Sequence, residues 1–109
     1  MANGRPAITD IIELLSKKWV MRIIWELRDD PLTFRELQIA CGDISPTVLN
    51  NRLKLLGTSI LVQKNTPNGY CLTRSGRDLL EVYKPLNHWA KAWQAKRATK
   101  GGQVNNGRP

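Results

Sequence analysis

The most constraining feature of this chain is a short glycine-containing turn between two strong helix-start signals. Thr33-Phe34-Arg35-Glu36 has the form of a capping box. The threonine hydroxyl can accept from the third amide, while Glu36 reaches back to the first. The helix it opens carries Phe34, Leu37 and Ala40. Cys41-Gly42-Asp43 then makes a turn, with Gly42 suited to a left-handed helix end. Ser45-Pro46 starts the next helix, serine as the cap and proline in the first turn. That helix is expected to run to about Leu56, with Gly57-Thr58-Ser59 closing it. Two helices joined by so short a turn have the spacing of a helix-turn-helix.

The flanking segments fit one small domain. Ile8, Ile11, Ile12 and Leu15 recur at helical spacing and predict a first helix over about 7–15. Val20, Ile23, Ile24 and Leu27 predict a second over about 18–28, ended by Asp29-Asp30-Pro31. Ile60 to Lys64 and Tyr70 to Leu72 read as two strands, joined through Asn65-Thr66-Pro67-Asn68-Gly69, where Asn-Gly is a hairpin signal. Thr73 should cap a last helix reaching about Lys96 and kinked at Pro85. The expected fold is mainly α with a small β-hairpin. It places the folded domain at 7–97 and a disordered basic tail at 98–109, where Val104 is the only large aliphatic residue.

Charge is distributed unevenly. The 109-residue chain has a net charge of +8. Residues 1–43 hold six Lys/Arg against seven Asp/Glu, and residues 44–109 hold eleven against two. The second half therefore suits a polyanion, nucleic acid first and an anionic membrane surface second. No apolar run approaches the ~20 residues of a membrane helix. Asp10 and Glu13 interrupt any signal-like N-terminal stretch, so a cytoplasmic location is expected.

The fourth helix has two faces. Leu49, Leu53 and Leu56 form an apolar stripe, and Thr47, Asn50, Asn51 and Lys54 fall together on another. That second face carries no acid. Short amide and hydroxyl side chains near a helix start can reach base edges in a major groove, and a cation can hold phosphate. Ser45 and the first helical amides can hold a phosphate as well. Arg52 and, on the first hairpin strand, Lys64 complete the candidate DNA contacts. A solvated polar face would have a similar composition. The turn spacing, the missing acids and the basic hairpin favour DNA. Asn68 is explained by turn chemistry alone.

Taken in order, several segments resemble the HxlR family of winged helix-turn-helix transcriptional regulators. They are Leu14-Leu15-Ser16-Lys17-Lys18-Trp19, Ile24-Trp25-Glu26-Leu27, Pro31-Leu32-Thr33-Phe34-Arg35-Glu36-Leu37 and Ile44-Ser45-Pro46-Thr47-Val48-Leu49. Leu53, Leu56, Leu61-Val62, Tyr70-Cys71-Leu72-Thr73-Arg74-Ser75-Gly76, Pro85-Leu86 and Trp89 continue the series. The resemblance implies a winged helix-turn-helix fold, dimeric through its terminal helices. It also implies a DNA-reading fourth helix that includes Ser45, Thr47, Asn50, Asn51 and Lys54, and no enzymatic activity. The chain departs from the pattern in three places. Arg5 and Pro6 stand where many members carry a cysteine, Ser16 and Lys17 where glycines are usual, and Ile60 where a glycine usually precedes the wing strand.

Leu79, Val82, Leu86, Trp89 and Trp93 step by three and four residues and form a heptad-like seam. With Ile8 and Ile11 they are the expected homodimer contacts, although packing within one chain would use the same spacing. Trp19 and Trp25 are expected in the core, and Cys41 and Cys71 as small packed residues. His88 is the sole histidine, and no nucleophile–base or metal-ligand spacing occurs. The expected partners are double-stranded DNA and a second copy of the chain, with no membrane, metal or cofactor; an effector is not indicated. A non-specific architectural DNA-binding protein and a protein-interaction winged helix remain as alternatives.

Overall fold

A computed structural model describes residues 4–65 and 69–107, with side chains described as far as Thr99. The elements run α1 (Ala7–Leu15), α2 (Val20–Glu26), β1 (Leu32–Thr33), α3 (Phe34–Ala40), α4 (Pro46–Thr58), β2 (Val62–Asn65), β3 (Gly69–Leu72) and α5 (Arg74–Gly107). They fall into two compact units, 1–78 and 79–109. The first holds the winged helix-turn-helix. The second is the remainder of α5.

The core of the first unit is the convergence of three helix stripes and the sheet. Val20, Ile23, Ile24 and Leu27 come from α2 and its end, Leu37 and Cys41 from α3, and Leu49, Leu53 and Leu56 from α4; all are buried. Leu61, Val62 and Leu72 close it from the wing. Among the described residues, the buried set contains no polar or charged residue.

The sheet has one strand more than expected, in the order β1-β3-β2. Its hairpin is antiparallel, with Val62 opposite Leu72 and Lys64 opposite Tyr70. The added strand β1 pairs Leu32 with Tyr70 and Thr33 with Gly69. Two residues cannot display an alternating pattern, and Thr33 serves at once as strand end and helix cap. Within the hairpin, β2 starts at Val62 rather than Ile60. The expected turn residues Thr66, Pro67 and Asn68 lie outside the described residues.

Two helices also differ from expectation. α2 begins two residues late because Trp19 takes a left-handed φ of 77°. It ends early in a tightened turn, where the Leu27 and Arg28 amides bond back three residues. The last helix passes Lys96 and runs to Gly107, uninterrupted by Pro85. Ala95, Lys96, Arg97 and Ala98 are strong helix formers and carry it past that point. Helical conformation thus enters the segment 98–109 that composition assigned to a disordered tail.

Both helices of the helix-turn-helix end in the same hydrogen-bonding motif. After α3, the Gly42 amide donates to the Ile39 carbonyl and the Asp43 amide to Gln38, each at 2.9 Å. After α4, the Ile60 amide donates to Gly57 and the Leu61 amide to Leu56, each at 3.0 Å. The paired bonds satisfy carbonyls that a helix end otherwise leaves open, and they need a left-handed residue just past the cap. Gly42 supplies it at φ 75°, Ile60 at φ 61°.

A β-branched residue is strained there. Thr73 holds the conformation in place. Its hydroxyl donates to the Ile60 carbonyl at 2.7 Å and accepts from the Gly76 amide at 3.0 Å. Gly76 lies so close to the Leu61 carbonyl that a Cβ would collide with it. The Ile60 side chain is 66% exposed, so little burial offsets the strain. Ile60→Gly should therefore stabilise the domain by about 1 kcal/mol. Urea denaturation would measure this, and an unchanged or lowered midpoint would contradict it.

Candidate nucleic-acid interface

The recognition element is built from its turn outward. The capping box of α3 is present in full, with the Glu36 amide donating to Thr33 Oγ1 at 3.0 Å and the Thr33 amide to Glu36 Oε1 at 2.9 Å. Gln38 then clamps the turn in two ways. Its carbonyl accepts from the Asp43 amide, and its Nε2 donates to the Ile44 carbonyl at 3.0 Å. Asp43 follows Gly42 with a second left-handed φ, 61°. Ser45 Oγ accepts from the Val48 amide at 3.3 Å and caps α4, with Pro46 in the first turn.

The Leu49, Leu53 and Leu56 stripe is buried. On the opposite side Thr47, Asn50, Asn51 and Lys54 are exposed, and so is Ser45 at the helix start. Thirteen residues of α4 include no acid. The nearest preceding acid is Asp43, in the turn. The exposed face is therefore a row of short polar groups and one cation on a helix whose pitch is set by the buried leucines.

Two expected contacts have different surroundings. Arg52 is half-buried and off that face. Its Nε donates to the Lys18 carbonyl at 2.8 Å, tying α4 to the α1–α2 corner. A guanidinium held this way helps position the helix. Lys64 is exposed on β2, its ammonium 5.8 Å from the ring centroid of Tyr70, its cross-strand neighbour.

Of the residues expected at a dimer contact, Ile8 is exposed on α1, together with Ile12. Ile11 is half-buried and faces a groove shared with α4. On α5, Leu79 is half-buried, while Val82, Leu86, Trp89 and Trp93 are exposed. Trp89 and Trp93 stack at 5.8 Å with planes 10° apart, and Arg97 lies 4.8 Å from the Trp93 centroid.

Trp25 and Trp19 are not core residues. Trp25 is 38% exposed under the Arg28 guanidinium at 4.2 Å, and Trp19 is half-buried beside Lys18. Helical spacing alone assigned them inward, but an indole can shelter under a cation at the surface instead. Cys41 is buried, and its desolvation pushes the thiol pKa up, partly countered by the charge of Arg22. A neutral buried thiol is inert. Cys71 is half-buried on β3. Among the described residues no His/Cys/Asp/Glu group is arranged to hold a metal, and no helix is long and apolar enough to cross a membrane.

A three-helix core, a helix-turn-helix and a three-stranded wing define a winged helix-turn-helix protein. The chain belongs to the HxlR-like helix-turn-helix family, whose model matches residues 14–98. Among similar proteins of Bacillus subtilis, the HTH-type transcriptional regulator YvaP is 31% identical over 94 residues, covering 81% of this chain and 87% of that one. The HTH-type transcriptional regulator YodB is 33% identical over 91 residues, covering 78% and 81%. The crystal structure of quinone-bound YodB superposes with a TM-score of 0.75 at 32% identity, covering 81% of this chain and 98% of that one. The family and these relatives are transcriptional regulators, and this chain is a DNA-binding regulator of that type.

The clamp made by Gln38 was missed by sequence reasoning. A polar residue on a helix of mixed composition gives no signal that it closes the following turn. Removing one net hydrogen bond costs about 1 kcal/mol. Gln38→Ala should lower stability by that amount with helix content unchanged, as read by denaturation and far-UV circular dichroism.

Proposed function

We propose that the chain regulates transcription as a homodimer that reads double-stranded DNA by sequence, with α4 in the major groove. The observation that carries this reading is the acid-free exposed face of α4, backed by its buried leucine stripe. Thr47, Asn50 and Asn51 are uncharged and short, so phosphate attraction does little for them. They are useful chiefly against base edges, where asparagine can bond adenine through two hydrogen bonds. Lys54, and Lys64 on the wing, supply phosphate contacts. Ser45 and the first amides of α4 supply another.

The dimer reading rests on exposed apolar area. Ile8 and Ile12 on α1 and Val82, Leu86, Trp89 and Trp93 on α5 leave large side chains in water. Large apolar side chains exposed together on one element, as on α5, mark an interaction site. A second copy would cover it and present two reading helices to two half-sites. The basic residues of α5 and beyond, Lys96, Arg97, Lys100 and Arg108, would add sequence-independent affinity. The protein would work in the cytoplasm, where DNA is accessible, without a cofactor.

Binding curves at several salt concentrations, on the preferred and on a random duplex, test the reading. Asn50→Ala or Asn51→Ala should cost about 1–3 kcal/mol on the preferred duplex and little on the random one. Lys54→Gln should reduce the salt slope by about one unit on both duplexes, and Arg52→Gln should leave it unchanged. Equal losses on both duplexes for the asparagine variants would favour an architectural, non-specific binder.

The dimer is tested by sedimentation. Wild type should be a dimer at micromolar concentration, and Leu86→Glu or Trp89→Glu should be monomeric with much weaker DNA binding, because the linked second contact is lost. A wild-type monomer would contradict it.

A further inference from the structure

Arg35 opens α3 with a cation where a helix favours an acid. It is exposed in the first turn. There a positive charge opposes the helix dipole, which suits acids at a helix start and cations at its end. Arg5, Arg22, Arg28 and Arg74 each lie within ion-pair distance of a carboxylate. Among the described residues no carboxylate pairs with Arg35. The stability of α3 therefore gives no reason for this residue.

A neutral side chain holds the guanidinium instead. Arg35 Nη1 donates to Gln38 Oε1 at 3.0 Å. Nε2 of the same amide donates at 3.0 Å to the Ile44 carbonyl, one residue before the Ser45 cap. The main-chain carbonyl of Gln38 accepts from the Asp43 amide at 2.9 Å. Arg35 is thus two hydrogen bonds and one amide away from the peptide that leads into α4. Its Nε and Nη2 make no bond to another described residue, and such a pair of parallel donors fits two phosphate oxygens. Of the acids in this corner, Glu36 has Oε1 engaged by the Thr33 amide at 2.9 Å, and Asp43 makes no ion pair among the described residues.

We propose that Arg35 grips a DNA phosphate beside the start of α4, and that Gln38 is its positioning residue. One amide then ties the phosphate grip to the turn that fixes where α4 begins. The inference rests on the proposed function in one respect, that α4 meets DNA by its first turns. A helix whose start lies in a major groove brings the preceding helix against the phosphate backbone. Arg35 chooses no sequence. It fixes the register from which Thr47, Asn50 and Asn51 face the bases.

The test is binding of the full chain to the preferred and to a random duplex over a series of salt concentrations. Arg35→Gln should weaken both complexes about three- to tenfold and lower the salt slope by as much as Lys54→Gln, about one unit. Its denaturation midpoint should be unchanged or raised, because a cation leaves the helix start. Arg28→Gln removes the same charge from a guanidinium paired with Asp29, and should leave the slope as it is. Gln38→Met reads the positioning role. It should weaken the random-duplex complex about threefold in the wild-type background and not at all in the Arg35→Gln background. A merely structural glutamine would weaken both backgrounds alike. An unchanged slope in Arg35→Gln, or an equal fall in Arg28→Gln, overturns the phosphate contact. Additive losses overturn the role of Gln38.

The random duplex separates this inference from sequence reading. If Asn50→Ala and Asn51→Ala cost the same on both duplexes, reading by α4 fails and the Arg35 result stands. If those variants weaken only the preferred complex while Arg35→Gln changes nothing, the phosphate grip fails and the reading stands. A chain that binds no duplex overturns both.

Discussion

Burial of Leu49, Leu53 and Leu56 is the interaction on which the rest depends. Each fully buried leucine stabilises the fold by about 1.5–3 kcal/mol, and its removal to alanine typically costs 2–5 kcal/mol. The Ser45 cap contributes about 1 kcal/mol, and the Gln38 clamp a similar amount. The leucine stripe thus decides how α4 is rotated, and the caps decide where it begins. Rotation matters because Thr47, Asn50, Asn51 and Lys54 occupy the opposite side of the same helix. A helix turned to expose them must bury the leucines, so the core and the polar face are one constraint.

The two ends of the helix-turn-helix solve the same problem with unequal ease. Gly42 takes a left-handed conformation without penalty, and Ile60 takes it under strain. The strain persists because Thr73 binds the Ile60 carbonyl and Gly76 packs against Leu61, which fixes the exit from α4 into the wing. Arg52 adds a third restraint from the α1–α2 corner. α4 is therefore held at its start by the turn, along its length by the core, and on its flank by Arg52.

Much of this was legible in the residues. The capping box at Thr33 and Glu36, the serine and proline opening α4, and Gly42 act through local hydrogen bonds, so four or five neighbouring residues suffice to specify them. α1 and α4 were also legible, because their apolar residues recur at helical spacing. β1 was not, since two residues have no period and the strand exists only by pairing with β3. Trp25 was placed inward by spacing, yet its position is set by Arg28, a partner that periodicity does not weigh. Arg52 was counted with the DNA contacts because it is a cation on the right helix. Its hydrogen-bond partner, the Lys18 carbonyl, is thirty-four residues away in sequence and is visible only in three dimensions.

The central claim is that α4 presents its acid-free face to base edges as one of two symmetric copies. Selection of bound sequences from a random duplex pool by the purified protein tests it most directly. The account predicts an inverted repeat whose half-site centres lie about 10 base pairs, or a multiple of that, apart on one face of the duplex. Recovery of a pool with no enriched motif, bound as tightly as the starting pool, would contradict it.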